Sequence, residues 1–184
     1  MYELFILSEL IEKPLNGYNL KRILQNILGD ERNVSFGMIY PQLDRLEKNG
    51  YITTSLDQTD SKKTSKINKI TAAGKQHFQE LMVTPVTPNQ NAQLTYEIKI
   101  GSFHMVSIQT QITIMQSYIE YLSQKIATNH ASKKVIKDDK PGMSHLDKED
   151  TLETLELRLT QNQAALNWAK NKLNKIEESY NGTI

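Results

Sequence analysis

Between residues 34 and 71 the apolar period of the chain switches from three-and-four to two, and that switch limits the fold more than any other feature. Before it, Ile39, Leu43 and Leu46 recur at helical spacing, so the 34–49 stretch has one apolar side. Its other side carries Gly37, Met38, Tyr40, Gln42 and Arg45. Ser35 stands where a hydroxyl can accept a bond from an orphan amide of the first turn. Asn49-Gly50 suits the left-handed backbone of a helix end. After the switch, Ile52, Thr54 and Leu56 alternate with Tyr51, Thr53 and Ser55, as in a half-buried strand rich in β-branched residues. The polar run 58–63 makes a hairpin tip, and 64–71 returns as a second strand. A helix that leads directly into a two-stranded ribbon is a short list of folds.

The residues ahead of it shorten the list. The run from Leu4 to Ile11 is densely apolar and stops at Lys13-Pro14, because the residue before proline disfavours the helical region. Asn16-Gly17-Tyr18 is turn chemistry. Leu20, Ile23, Leu24, Ile27 and Leu28 then share one face of a second helix, which Gly29 ends. Three helices in under fifty residues, the last two joined by a short turn, match the helix-turn-helix pattern. The ribbon behind them carries Lys62, Lys63, Lys66 and Lys69 against only Asp57 and Asp60. A basic hairpin in that place is a wing, and lysines there suit phosphate oxygens. Thr71 can cap a further helix through Gly74, Phe78, Leu81 and Met82.

Composition excludes other classes. A net charge of +1 gives no global attraction to nucleic acid, so the argument rests on local clusters. The absence of cysteine removes disulfide scaffolds, thiolate metal sites and thiol redox chemistry. No signal-peptide pattern opens the chain and no apolar run approaches the ~20 residues that span a bilayer, which predicts a soluble, cytoplasmic protein. His77, His104, His130 and His145 have no ligand spacing. With no glycine-rich loop and no arguable catalytic arrangement, neither an enzyme nor a metal or other cofactor is expected.

The N-terminal residues resemble the PadR (phenolic acid decarboxylase regulator) family of bacterial transcription factors. The resemblance is carried by Tyr2-Glu3-Leu4-Phe5-Ile6-Leu7, by Asn16-Gly17-Tyr18 with Leu20, and by Ser35-Phe36-Gly37-Met38-Ile39-Tyr40-Pro41-Gln42-Leu43 with Leu46. Gly50-Tyr51-Ile52 and Ile70-Thr71-Ala72-Ala73-Gly74 complete it, over residues 1 to about 82. It implies a winged helix whose third helix enters the major groove. Mapped by position, Ser35, Gly37, Met38, Tyr40 and Pro41 lie at the DNA, with Asn16, Tyr18 and Lys21 approaching the backbone from the preceding helix. Lys62 and Lys63, with Lys66 on the same ribbon, meet phosphates. Asn68 departs from the family, which often carries an aromatic there, and predicts a looser wing. Pro41 is a family feature that removes a helical bond wherever it lies beyond the first turn. The third helix has no Arg-Asn-Gln set for base reading, so modest direct readout is expected, with more from shape and backbone.

The second half is a different object. Residues 84–91, with two prolines, have no period. Met105, Ile108, Ile112, Met115, Ile119, Leu122 and Ile126 then step by three and four, and Ser107 is placed to cap a helix there. Residues 133–147 are a charged turn. Leu152, Leu155, Leu159, Asn162, Leu166, Ala169, Leu173, Ile176 and Tyr180 form a second seam, with Asn162 as a register-setting buried amide. Two such seams predict a helical hairpin that packs on a copy of itself. Met105, Ile112, Ile119, Leu152, Leu155, Leu159, Leu166, Leu173 and Ile176 are the expected dimerisation residues. Trp168, Tyr96, Tyr118 and Tyr121 could line a pocket for a flat aromatic ligand, though aromatic core packing is the simpler reading.

The expectation is therefore a mainly α protein with a small β-wing. A winged helix-turn-helix at 1–82, a linker at 83–93 and a helical, coiled-coil-like dimerisation domain at 94–184 make it up. The function expected is a homodimeric DNA-binding regulator, a ligand-responsive repressor on a palindromic operator of double-stranded DNA, with a phenolic acid or other small aromatic as effector. The alternative is a winged-helix adaptor that binds another protein and no DNA.

Overall fold

The computed structural model describes residues 1–29, 33–57, 65–138 and 142–181. The chain divides into two compact units, Met1–Val106 and Ser107–Ile184. No helix among the described residues is long and apolar enough to cross a membrane.

The first unit is built round α1 (Tyr2–Glu12), whose Leu4, Phe5, Ile6, Leu7 and Leu10 are all buried. A helix apolar on nearly every side has to sit inside. Pro14 follows it, and Lys13 is already extended at φ −164°. A two-residue strand, β1 (Leu15–Asn16), leads into α2 (Gly17–Leu28), where the Asn16 side chain accepts from the Asn19 amide at 2.8 Å. Gly29 ends α2 at φ 71°. Gln25 donates to the Gly29 carbonyl at 2.6 Å and accepts from the Val34 amide at 2.8 Å.

The third helix, α3 (Phe36–Lys48), buries Ile39, Leu43 and Leu46. Ser35 occupies its N-cap position, but the hydroxyl makes no capping bond. The expected helix end holds at Gly50, which has φ 75°, while Asn49 stays right-handed. The ribbon is β2 (Ile52–Asp57) and β3 (Ser65–Ile70), antiparallel, with β1 on the far side of β3. Its register pairs Ile52 with Ile70, Leu56 with Lys66, and Leu15 with Asn68.

Asn68 does not loosen this sheet. It is buried, its Nδ2 donates to the Leu15 carbonyl at 2.9 Å, and its Oδ1 accepts from the Thr54 hydroxyl at 3.2 Å. The amide thus links all three strands by bonds an aromatic ring does not make.

Helix α4 (Ala72–Val83) starts at Thr71, whose Oγ1 accepts from the Gly74 amide at 3.0 Å and donates to the Gly50 carbonyl at 2.7 Å. Behind α3, His77 stacks on Tyr51 with centroids 4.1 Å apart and reaches Glu3 at 3.1 Å and Glu80 at 3.2 Å. Glu3 also holds Arg45 at 2.9 Å, so α1, α3 and α4 share one polar cluster. Arg45, expected on the outward face of α3, is thereby turned towards α1.

Helix α5 (Ala92–Gly101) and a 3-10 turn (Phe103–Met105) complete the first unit. The stretch 84–91 before them contains no helix or strand. Lys99 on α5 is buried, and its Nζ donates to the carbonyls of Met82 at 2.9 Å and Thr84 at 2.6 Å, which closes the end of α4. Burial lowers its pKa to about 8.

The second unit is a hairpin of α6 (Ile108–Lys137) and α7 (His145–Asn181). Ser107 caps α6, accepting from the Thr110 amide at 3.2 Å, and Ser144 accepts from the Asp147 amide at 3.1 Å. The charged turn is shorter than the 133–147 expected, because Lys133 and its neighbours continue α6. Lys133 pairs with Glu156 across the hairpin, and that hydrogen bond, then the lysine charge, holds the Glu156 carboxyl below its usual range. Ile112, Met115, Leu122, Leu155, Leu159, Asn162, Leu166, Ala169 and Ile176 are buried in this unit.

Candidate nucleic-acid interface

With Ile39, Leu43 and Leu46 turned inward, helical geometry places Gly37 on the outward side of α3, Tyr40 at its flank and Phe36 at the edge of the inward side. Phe36 is 43% exposed, Tyr40 45%, and Tyr18 at the start of α2 58%. The first two rings touch, with centroids 5.7 Å apart. Lys21, one turn into α2, places its Nζ 4.5 Å from the centre of the Phe36 ring. A cationic and aromatic surface thus spans the start of α2 and the outward side of α3.

Glycine makes the packing possible. A Cβ on Gly17 would lie 2.9 Å from Tyr40 Cε1, so the tyrosine ring rests on the first turn of α2 where any other residue would obstruct it. Gly37 has only the Ser35 hydroxyl, at 3.6 Å, within reach of such a Cβ, which leaves its backbone open to an approaching surface. Pro41 is the sixth residue of α3, beyond the first turn, and lacks the amide that would bond the Gly37 carbonyl. That carbonyl loses its helical partner on the open side of the helix.

Beside these residues a cleft of about 430 Å³ runs between α2, α3 and the ribbon. Asn16, Tyr18, Tyr40 and Lys66 line it together with Asp44 and Glu47. A phosphate is repelled by the two carboxylates and attracted by the lysine. The two hydroxyls, the α2 amides and Lys66 are the groups that suit a DNA backbone.

The expected site residues sort as follows. Tyr18, Lys21, Ser35, Gly37, Tyr40, Pro41 and Lys66 are on α2, α3 and β3, with Ser35, Gly37 and Pro41 exposed. Asn16 is engaged in capping α2. Met38 is half-buried, and its sulfur accepts from the Tyr2 hydroxyl at 3.9 Å. Lys62 and Lys63 lie outside the described residues. Phe36 was missed because an apolar residue at a helix start reads as core; its place beside outward-facing Gly37 was the available signal. Among the expected dimerisation residues, Ile112, Leu155, Leu159, Leu166 and Ile176 are buried within the chain's own hairpin, with Ile119, Leu152 and Leu173 half-buried. Met105 belongs to the first unit, where its carbonyl accepts from Gln79 at 3.0 Å. Of the four aromatics, Tyr96 is buried in the first unit. Tyr118 and Tyr121 stack on α6 at 6.3 Å, and Trp168 is 49% exposed on α7. Among the described residues no three His, Cys, Asp or Glu side chains group as metal ligands.

A helix-turn-helix completed by a β-ribbon, with this surface on its third helix, is the winged-helix class of DNA-binding transcription regulators. The model of the Transcriptional regulator PadR-like family matches residues 6–80, the helix-turn-helix and ribbon described above. Solved structures similar to the chain include Bacillus subtilis PadR in complex with operator DNA, at 21% identity over 95% of this chain and 98% of that one, with a TM-score of 0.42. The PadR-like transcriptional regulator from Bacillus cereus is similar at 22% identity over 97% and 99%, with a TM-score of 0.39. Bacillus subtilis PadR in complex with p-coumaric acid is similar at 19% identity over 95% and 94%, with a TM-score of 0.40. No curated relative matches the chain.

Proposed function

We propose that this protein is a cytoplasmic, homodimeric transcriptional repressor that binds a palindromic operator through α3 and the wing. The observation that carries the reading is the outward side of α3. It presents Gly37 and Tyr40, with the exposed Phe36 ring at its edge and Lys21 against that ring, on a fold whose ribbon brings Lys66 to the same cleft as Tyr40. Tyr40 and Tyr18 hydroxyls and the lysines bind phosphates, so affinity falls with salt. A dimer presents two copies of α3 about one helical turn of DNA apart, ~34–36 Å.

The regulatory step is a change in that spacing. An effector that binds better to another arrangement of the protomers releases the operator in proportion to its differential affinity. The family resemblance points to a small aromatic, of the phenolic-acid kind, as that effector.

The copies meet, in this reading, along α7. Its Leu146, Leu157 and Trp168 are exposed, at 72%, 59% and 49%, and stand eleven residues apart. Eleven residues are close to three full turns, so the three side chains form one stripe that α6 leaves uncovered.

A mobility-shift assay on the region upstream of the protein's own gene tests the proposal, with wild type against Tyr40→Ala and Lys62→Ala/Lys63→Ala. Wild type shifts the DNA at low salt, both variants weaken the shift, and a hydroxycinnamic acid abolishes it. A folded wild-type protein that shifts no duplex at any salt overturns the repressor reading.

A further inference from the structure

We propose that Phe36 reads thymine: its ring supplies an apolar edge that packs on thymine C5-methyl groups in the major groove, with Lys21 as its anchor to the adjacent phosphate. The inference rests on the DNA-binding reading above and names what the site selects.

Three observations carry it. Phe36 is the first residue of α3, its ring against that of Tyr40, and 43% of it is exposed although it is wholly apolar. Its ring is also fixed. Lys21 Nζ sits 4.5 Å from the ring centre and Tyr40 stands 5.7 Å away at an interplanar angle of 38°. A held ring loses little conformational entropy on binding. Finally, Gly37 beside it has no side chain to keep a DNA surface at a distance.

The chemistry then selects the target. Phenylalanine has no donor or acceptor, so it cannot discriminate the nitrogens and oxygens of a base edge. Duplex bases are stacked, which leaves edges and not faces available to it. The apolar group that a major-groove edge presents is the thymine methyl. The lysine fits the same picture, since an ammonium held beside the ring neutralises the phosphate next to the base being read. On this account α3 has a direct readout device, although it lacks an Arg-Asn-Gln set.

The test uses the full-length protein and a duplex that the wild type itself selects from a random library. Each thymine of the selected duplex is replaced in turn by uracil, which deletes the methyl and keeps the base pair. Wild type should lose about threefold to tenfold in affinity at one or two positions per half-site, near the ~0.8 kcal/mol of one buried methyl group or above it. Phe36→Ala should bind the thymine and uracil duplexes within twofold of each other, with Phe36→Leu intermediate. Thermal melts establish that each variant is folded.

If Phe36→Ala keeps the full thymine preference, or wild type shows none, the ring is a packing platform for Lys21 and the inference is overturned. If folded wild type selects no duplex at all, the DNA-binding reading fails and this one with it.

Discussion

A Cβ on Gly74 would sit 2.0 Å from the Tyr51 carbonyl oxygen and 2.8 Å from the Ile70 side chain. Neither backbone nor sheet can yield that much, so Gly74→Ala should destabilise the first unit by about 2–3 kcal/mol in urea unfolding. Gly17 differs, because what it meets is the end of the Tyr40 side chain. Gly17→Ala should change stability by less than about 1 kcal/mol, since the ring can swing away. Moving that ring removes a group from the proposed DNA-facing side, so duplex affinity measured by fluorescence anisotropy should fall severalfold. An unchanged affinity would remove Tyr40 from the interface. Lys99 gives a residue-scale prediction in pH. Its folded pKa of about 8 lies below the unfolded value near 10.5, so between those values the unfolded chain holds more protons. The destabilisation from burying the charge is complete below pH 8 and disappears as pH rises towards 10.5. Wild type should therefore gain stability relative to Lys99→Met across pH 8–10. A flat difference would mean that the carbonyls of Met82 and Thr84 keep the ammonium charged throughout.

Helix α7 shows the same logic at the scale of an element, because its two apolar stripes differ in burial and only the exposed one is free for the proposed dimer contact. Leu155, Leu159, Leu166 and Ile176 are buried within the hairpin, whereas Leu157 and Trp168 are exposed. An aspartate at Leu159 puts a charge into a closed interface and should unfold the second unit by 3 kcal/mol or more, on the order of other buried unpaired charges. Leu157→Asp with Trp168→Asp should leave the helical signal and its urea midpoint nearly unchanged while converting dimer to monomer in sedimentation. A double variant that stays dimeric would move the interface away from this stripe. Helix α3 has a comparable division. Its inner residues are core, while on the outward side Pro41 removes a helical hydrogen bond and Gly37 lowers the helix propensity.

For the whole molecule, the proposed dimer and the proposed DNA binding would be linked through the number of phosphates neutralised. Each Lys66 in contact with a phosphate contributes about 0.9 to the slope of log affinity against log salt. A dimer carries two, so Lys66→Ala should lower the magnitude of that slope by about two. A change of about one would indicate that a single winged helix binds at a time, and no change that β3 stays clear of the DNA. The melting temperature should also rise with protein concentration if the copies stabilise each other.

Much of the first unit was legible before any coordinates, since its elements rest on local signals. The period switch at Tyr51 marked the ribbon, Thr71 the start of α4, Ser107 the start of α6, and Gly29 and Gly50 the helix ends. Inward and outward residues of α3 followed from spacing alone, because a helix has one geometry. What required the tertiary structure was any property set by residues distant in sequence. Asn68 joins three strands through Leu15 and Thr54, and nothing within ten residues of it predicts a partner fifty-three positions away. Lys99 reads as a solvated lysine until α4 is seen to end against it, and that contact places α5 with the first unit. Three-and-four spacing likewise names a buried face without saying whether the same chain or a second copy covers it. In α7 the folded hairpin covers the regular seam itself and leaves Leu157 and Trp168 outside. Phe36 is the clearest case: an apolar residue at a helix start belongs to the core by pattern, yet it is exposed, with Lys21 from another helix against its ring.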